Sequence, residues 1–440
     1  MTRSLRDFVP LTENVVNMYV CGPTVYNYIH IGNARSAVAF DTIRRYFEYC
    51  GYTVNYISNF TDVDDKIIKA ANEAGISTKE LSDKFIAAFM EDTGQLGIKP
   101  ATQNPRVINY MDEIIAFVST LVDKGFAYVS EGDVYFRVAK SNNYAKLANK
   151  TLEDLEIGAS GRTDAETERK ENPLDFALWK AAKEGEVSWD SPWGLGRPGW
   201  HIECSVMATE ILGDTIDIHG GGADLEFPHH TNEIAQSEAK TGKTFANYWM
   251  HNGFVNVDNE KMSKSLGNFV TVHDMLKTVD GQVLRFFLAT QQYRKPINFT
   301  EKAIHDAEVN LKYLKNTHSL PLTDQVNQDE LQTYLEAFQE AMDDDFNTAN
   351  GVTVLFDMAK WINSGNYDQT VKDAFEKMLQ VFGIVFEEEV LDEDIEKLIE
   401  ERQAARANKD FATADRIRDE LAAQGIKLLD TKDGVRWTRD

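Results

Sequence analysis

The run VVNMYV at 15–20 is almost wholly apolar and breaks at once on Gly22-Pro23-Thr24. That pattern predicts a buried strand, centred on NMYVC, entering a tight turn. From Asn33 the apolar positions change period. Ala39, Ile43, Tyr46, Phe47 and Cys50 fall three and four apart, the spacing of one helix face, and Gly51 stands where a helix would stop. Residues 52–60 (YTVNYISNF) alternate as a strand does, and 61–75 (TDVDDKIIKAANEAG) follow as a second helix with Asp in its first turn. Strand–helix–strand–helix with short links predicts a doubly wound parallel sheet. Such sheets bind ligands at the carboxyl ends of their strands, where Cys21 and His30 fall.

The periodicity then changes character. Residues 104–125 read as helix and 126–138 (FAYVSEGDVYFRV) as strand, before the polar stretch 158–173 (GASGRTDAETERKENP). The sheet resumes at DTIDIHGGG (214–222), after SPWGLGRPGW. From about 300 to 386 the pattern is helical, with stripes in HDAEVNLKYLKN, LQTYLEAFQEAM and ANGVTVLFDMAKWI. An acidic hinge, EEEVLDEDIE (387–396), leads to a last module of one helix (DFATADRIRDELAAQG) and two short strands near IKLLD and GVRWT. The expected fold is α/β. A Rossmann-like sheet domain built from 1–100 and 196–250 carries a connective insertion at 101–195. Residues 251–320 link it to a helical bundle at 321–390, and a small α/β module at 391–440 ends the chain.

At 440 residues such a division leaves each part a core of its own. No apolar run nears the ~18 residues of a membrane span, and MTRSLRDFVPLTEN lacks the apolar centre of a secretory signal. Three cysteines are too few for a disulfide framework, so a cytoplasmic protein is expected. The net charge of −25 argues against nonspecific nucleic-acid binding. Two stretches depart from it: 251–320 carries nine Lys/Arg against seven Asp/Glu, and 401–440 nine against eight. They suit either a specific nucleic-acid partner or ordinary solvated faces.

Three groups of residues have chemical potential. In HIGN, Gly32 permits close backbone approach, the N–H groups of the helix start favour an anion, and His30 and Asn33 face one spot. A histidine there also serves as a plain cap. In KMSKS, Lys261 and Lys264 sit three apart in a loop where they can reach the phosphates of a nucleotide; an exposed polar loop has the same composition. Five of the nine histidines lie between Trp200 and Phe254, with Cys204 among them. His229 and Glu233 are i and i+4, on one helix face. With Cys21 and Cys204 they would make a zinc shell of sulfur, nitrogen and oxygen. Their separations, 183 residues from Cys21 to Cys204 and 25 on to His229, are far too long for a zinc ribbon, and buried thiols with a capping histidine fit as well.

HIGN after a first strand with KMSKS downstream resembles the motif pair of class I aminoacyl-tRNA synthetases. The segments MYVCGPTVYNYIHIGNARS, NFTDVDDKII, SPWGLGRPGWHIECS, DIHGGGADLEFPHHTNEIAQ and EKMSKSLGNF resemble the cysteinyl-tRNA synthetase family in particular. EAMDDDFNTA resembles its helical domain and RANKDFATADRIRDELAAQGI its C-terminal module. The resemblance spans nearly the whole chain. It implies ATP-dependent activation of L-cysteine to cysteinyl-adenylate and its transfer to the 3′ end of tRNA(Cys), with AMP and pyrophosphate released. It implies a zinc ion on Cys21, Cys204, His229 and Glu233, Mg²⁺ with ATP, and ATP contacts from His30, Gly32, Asn33 and Lys264. Catalysis falls to His30, Asn33, Lys261 and Lys264, and Thr24, Trp200 and His219 resemble substrate-pocket residues. The region 251–320 would carry the KMSKS loop and meet the tRNA stem, 321–390 would bind tRNA, and 391–440 would bind the anticodon. The resemblance also suggests a monomer. Asn33 departs from the wider class, whose motif usually ends in His, so it would orient by hydrogen bonding. Four protein ligands usually close a structural zinc site, so a substrate thiolate would be a fifth ligand or would loosen Glu233. In the tail, Trp437 could stack on an anticodon base while Arg436 and Arg439 hold phosphates, or Trp437 could close a small core. A rival enzyme would join cysteine to an amino sugar through the same adenylate; the bundle and aromatic-tipped tail have no use there.

Overall fold

The computed structural model describes residues 4–141, 143–151, 167–262, 268–324, 326–386, 393–431 and 434–439. The chain divides into two compact units, Met1–Val385 and Phe386–Asp440.

In the first unit, β1 (Val15–Val20), α1 (Ile31–Tyr49) and β2 (Thr53–Ser58) make one parallel crossover. α2 (Asp65–Ala74), α3 (Thr78–Gln95) and α4 (Met111–Asp123) follow, then an antiparallel sheet of β3 (Ala127–Ser130), β4 (Asp133–Phe136), β5 (Phe176–Ala181) and β6 (Gly196–Pro198). The chain returns through α5 (Trp200–Leu212), β7 (Ile216–Gly222), α6 (Thr231–Thr241) and β8 (Ala246–Asn252). The main sheet has the order β2-β1-β7-β8, all parallel. Val20 sits in register with Ser58 on one side and Gly220 on the other, so the chain leaves β1 where the strand order reverses. That is where an open α/β sheet leaves a crevice.

Both faces of this sheet are covered, which is why its strands read as near-continuous apolar runs. Val16, Met18 and Val20 pack with Phe40, Ile43 and Phe47 of α1. Tyr19 and Ile57 point to the opposite face. There they join Ile114, Phe117 and Leu121 of α4, Val134, Phe136 and Trp179 of the antiparallel sheet, and Ile202, Ile216 and Phe245. The boundary expected at residue 101 therefore runs through a shared core. Topologically, the part that stands apart is the antiparallel sheet from Ala127 to Pro198.

β9 (Val255–Val257), β10 (Glu260–Lys261) and, after α7 (Gly281–Ala289), β11 (Ile297–Phe299) form a small sheet in the order β10-β9-β11. The helices α8 (Glu301–His318), α9 (Gln328–Asp343), α10 (Thr348–Asn363) and α11 (Gln369–Val381) complete the unit. A buried ion cluster ties them to α1. Arg285 of α7 lies 2.7 Å from Asp41 and donates to the Phe382 carbonyl, while Arg45 pairs with Asp41 and donates to the Gln380 carbonyl. Among the described residues no helix is long and apolar enough to cross a membrane.

The second unit is α12 (Glu393–Ala407), α13 (Phe411–Ala423) and the hairpin β12 (Ile426–Thr431) with β13 (Gly434–Arg439). It has two helices where the sequence suggested one: the last four residues of the expected hinge begin α12, and 387–392 lie outside the described residues. Ile395, Ile417, Leu421 and Ile426 form its core, and Trp437 packs against them, half-buried.

Candidate active site and metal centre

A cleft of ≈ 610 Å³ opens at the carboxyl ends of the main-sheet strands. Cys21, Thr24, His30, Gly32, Asn33, Trp200 and Lys261 all line it. His30 is the N-cap of α1. Its Nδ1 accepts from the Gly32 and Asn33 N–H groups at 3.0 and 3.3 Å, and the Asn33 side-chain oxygen accepts from the His30 N–H at 3.2 Å. This reciprocal cap requires glycine at position 32: a Cβ there would fall 2.8 Å from His30 Cε1 and 2.9 Å from Nδ1. With Nδ1 accepting, the ring proton resides on Nε2. The expectation of open helix-start N–H groups is corrected accordingly, since the imidazole takes up two of them. The ring's Nε2–H and the Asn33 amide are the side-chain donors that the motif carries at this wall of the cleft.

The second motif is anchored to the first. Ile31 N–H donates to the Val270 carbonyl (3.1 Å) and Val272 N–H to that of Ile29 (2.9 Å), so the backbone just after KMSKS is bonded to HIGN. On the other side Lys261 ends β10, with its ammonium 5.8 Å from the Phe254 ring centre. Lys264 lies outside the described residues.

Beside the cleft, which Cys21 alone of the four lines, Cys21, Cys204, His229 and Glu233 place one ligand atom each within 4.8 Å of all the others. β1 delivers Cys21, α5 delivers Cys204, and the turn before α6 and α6 itself deliver His229 and Glu233. The separations suit a tetrahedral ion. Zinc at ~2.3 Å from sulfur and ~2.1 Å from oxygen or nitrogen sets edges of about 3.8 Å (S···S), 3.6 Å (S···O) and 3.4 Å (N···O). The structure has 3.6 Å between the sulfurs, 3.5 Å from Cys21 Sγ to Glu233 Oε1, and 3.1 Å from His229 Nε2 to Glu233 Oε1. Charge in the cluster is already separated. Burial pushes the Glu233 carboxyl up, but His219 and His229 outweigh it and hold it at about 2. A hydrogen bond from Cys21 draws the Cys204 thiol down to about 6. Burial works against the charge on His229, yet Glu233 and Cys204 raise it to about 10. The set is thus poised to exchange protons for a cation.

A second set, Cys21 with His219, His230 and Glu233, is equally compact. Here His219 Nε2 lies only 2.6 Å from Glu233 Oε2, a hydrogen-bond length and not a ligand–ligand edge. His219 is fully buried and absent from the cleft wall. The expected pocket residue therefore stands behind a ligand, holding it. Trp200 does line the cleft, 41% exposed, and stacks on His229 at 4.3 Å. The sequence reading passed over three further histidines and one asparagine. His201 Nδ1 meets His229 Nδ1 at 2.9 Å, leaving Nε2 to face the cluster. His230 Nε2 lies 3.4 Å from Cys21 Sγ, and its Nδ1 meets His251. Burial first, and neighbouring imidazoles next, push His201 and His230 far below the ordinary histidine value, so both are neutral. Asn59 Oδ1 accepts from Gly22 N–H at 3.0 Å and fixes the turn that carries Cys21. The crowding of histidines was visible in the sequence; their pairing was not.

In the second unit, Trp437 serves the small core, which leaves less of it for a nucleotide base than expected. Arg436 and Arg439 occupy β13 opposite Leu429 and Ile426, and their side chains lie outside the described residues.

Comparison with known proteins matches residues 7–309 to "tRNA synthetases class I (C) catalytic domain", 337–387 to "DALR domain" and 388–437 to "Cysteinyl-tRNA ligase anticodon binding domain". The chain is 94% identical over all 440 residues to a cysteine–tRNA ligase of Streptococcus thermophilus, covering 98% of that protein. It is 83% identical to one of Streptococcus pyogenes and 82% to one of Streptococcus agalactiae, with the same coverage. Among solved structures, methionyl-tRNA synthetase of Mycobacterium tuberculosis in complex with methionyl-adenylate matches with a TM-score of 0.61 at 15% identity, over 84% of this chain and 89% of that one. That likeness concerns the fold.

Proposed function

Since this chain belongs to the cysteine–tRNA ligase family and so joins cysteine to tRNA with ATP, we propose that Cys21, Cys204, His229 and Glu233 select the amino acid by holding zinc. The observation that carries this is the closeness of the four ligand atoms, three of whose separations are near tetrahedral edges, beside the cleft that Cys21 lines. Zinc, when bound, takes a soft sulfur far more readily than a hydroxyl, and magnesium arrives with ATP to shield its phosphates. An apolar pocket alone separates near-isosteres by only ~10²-fold, too little to reject serine.

The reaction runs in two steps. The cysteine carboxylate attacks the α-phosphorus of ATP, forming the adenylate and releasing pyrophosphate. A hydroxyl of the terminal adenosine of tRNA(Cys) then attacks the adenylate carbonyl and releases AMP. His30 Nε2–H and the Asn33 amide donate to the phosphate oxygens as charge builds. Lys261 and Lys264 neutralise the departing pyrophosphate. The ring of Trp200 and Thr24 wall the amino acid. The bundle and the second unit, with Arg436, Trp437 and Arg439 on its hairpin, receive the tRNA. The anticodon-binding match favours tRNA over an amino sugar as acceptor. Cys21, Cys50 and Cys204 are all free thiols, which suits a cytoplasmic enzyme, acting as a monomer.

The test is transfer of labelled cysteine, against labelled serine, onto unfractionated tRNA with zinc-replete protein. Cysteine charging without serine charging supports the reading. Charging of both at similar rates would remove zinc as the selector, and no charging despite cysteine-dependent pyrophosphate exchange would favour a small-molecule acceptor.

A further inference from the structure

Tyr19, His219 and Trp249 occupy matched positions on β1, β7 and β8: Tyr19 pairs with His219 and His219 with Trp249. Their rings therefore form a row across three strands, on one face of the sheet. Trp249 lies nearly parallel to the His219 imidazole, with centroids 4.5 Å apart and planes at 18°. Tyr19 at 5.3 Å, Phe245 at 5.5 Å and His230 at 4.5 Å, tilted or edge-on, close the other sides. The result is an aromatic box around a fully buried imidazole whose one hydrogen bond among the described residues is to Glu233 Oε2.

The orientation of that imidazole matters because Glu233 has two oxygens and the metal cluster uses one. With Oε2 bound to His219, Oε1 is the atom that faces His229 and Cys21. One hydrogen bond, through Nε2 to Glu233 Oε2, leaves the ring free to turn about the axis through that contact, and the flat face of the indole blocks that turn. The indole's own polar atom supplies a second argument. Trp249 Nε1 is buried with no hydrogen-bond partner among the described residues. An orphaned N–H costs stability, so this position uses the indole for its face, not its donor.

We propose that Trp249 is a positioning residue of the metal site, acting through His219 on Glu233. The inference rests on the zinc reading above. Groups that orient metal ligands in this way typically change affinity by 10–100-fold when removed.

The test is a double-mutant cycle on zinc affinity, measured by chelator competition on the full chain, with cobalt substitution reporting the ligand geometry. Trp249→Phe, which keeps a flat face and removes the orphan, should bind zinc within about threefold of the parent. Trp249→Leu should bind about tenfold more weakly and alter the cobalt d–d bands. In a His219→Ala background, Trp249→Leu should weaken binding no further, because the group it orients is gone. A loss of the same size with and without His219 would overturn the proposal, as would full affinity in a folded Trp249→Leu protein. A parent that binds no zinc at all would instead sink the zinc reading, which separates the two failures.

Discussion

On the proposed mechanism His30 has two jobs, capping α1 and lending its Nε2–H to the phosphates, and one substitution can separate them. Asparagine is among the best N-caps, and its side-chain oxygen can accept from the same two N–H groups that His30 Nδ1 serves. His30→Asn should therefore leave stability within ~0.5 kcal/mol of the parent. With that oxygen holding the cap, its shorter amide cannot bring an N–H to where the imidazole Nε2–H stands. Losing one preorganised donor to developing charge costs on the order of 10²–10³ in rate, or ~2.7–4 kcal/mol. Gly32→Ala reaches the same donor by a different route. Its Cβ, 2.8 Å from His30 Cε1, must expel the ring from the cap. The cap loss costs ~1 kcal/mol, and the gain of alanine over glycine inside a helix offsets about the same amount. Both proteins should melt close to the parent and activate cysteine about 100-fold or more slowly. The assay is cysteine-dependent pyrophosphate exchange, with thermal melts alongside. If His30→Asn stays within fivefold of the parent, the histidine is a cap and the donor argument fails.

Cys204→Ser should lose zinc and cysteine binding together, and full occupancy by metal analysis would remove Cys204 from the ligand set. Lys264→Ala should slow adenylate formation by ~10²–10³-fold; an unchanged rate of exchange would count against its role. Burial pushes the Asp41 carboxyl up, but Arg285 and Arg45 outweigh it and hold it below the ordinary carboxylate range. A depressed folded value means that the stabilisation is present above about pH 4 and lost as pH falls through the folded value. Asp41→Asn should thus cost ~3–5 kcal/mol at pH 7, because it leaves Arg285 buried without its partner. The gap to the parent in urea unfolding should shrink on acidification, and a gap that is constant with pH would refute the charge argument.

The first crossover was legible because its signals are local. The apolar run, the Gly22 turn, the helical spacing after Asn33 and Gly51 at the end each act within a few residues. α12 was missed for the converse reason: Ile395, Leu398 and Ile399 sit among charged residues that read as hinge. The core shared across residue 101 was not legible because α4 buries its apolar face on distant partners, α5 and α6, which no local pattern names. The metal ligands illustrate the same limit. Only the i, i+4 pair His229 and Glu233 is visible in the sequence as a unit; Cys21 and Cys204 suited the shell by chemistry but not by spacing, the resemblance favoured them over buried thiols, and the fold shows them adjoining. That His30 turns back onto its own helix start, closing off the expected anion donors, depends on a side-chain rotamer that composition does not record.

The metal cluster also has a history in time. Cys21 and Glu233 are 212 residues apart, and at ~5–20 residues per second a ribosome takes roughly 10–40 s to travel between them. For that interval the first ligand exists without the last. Its thiol then stands on β1 before the strands and helices that will enclose it have been made. On the zinc reading, the site can close only once all four segments have been made and brought together.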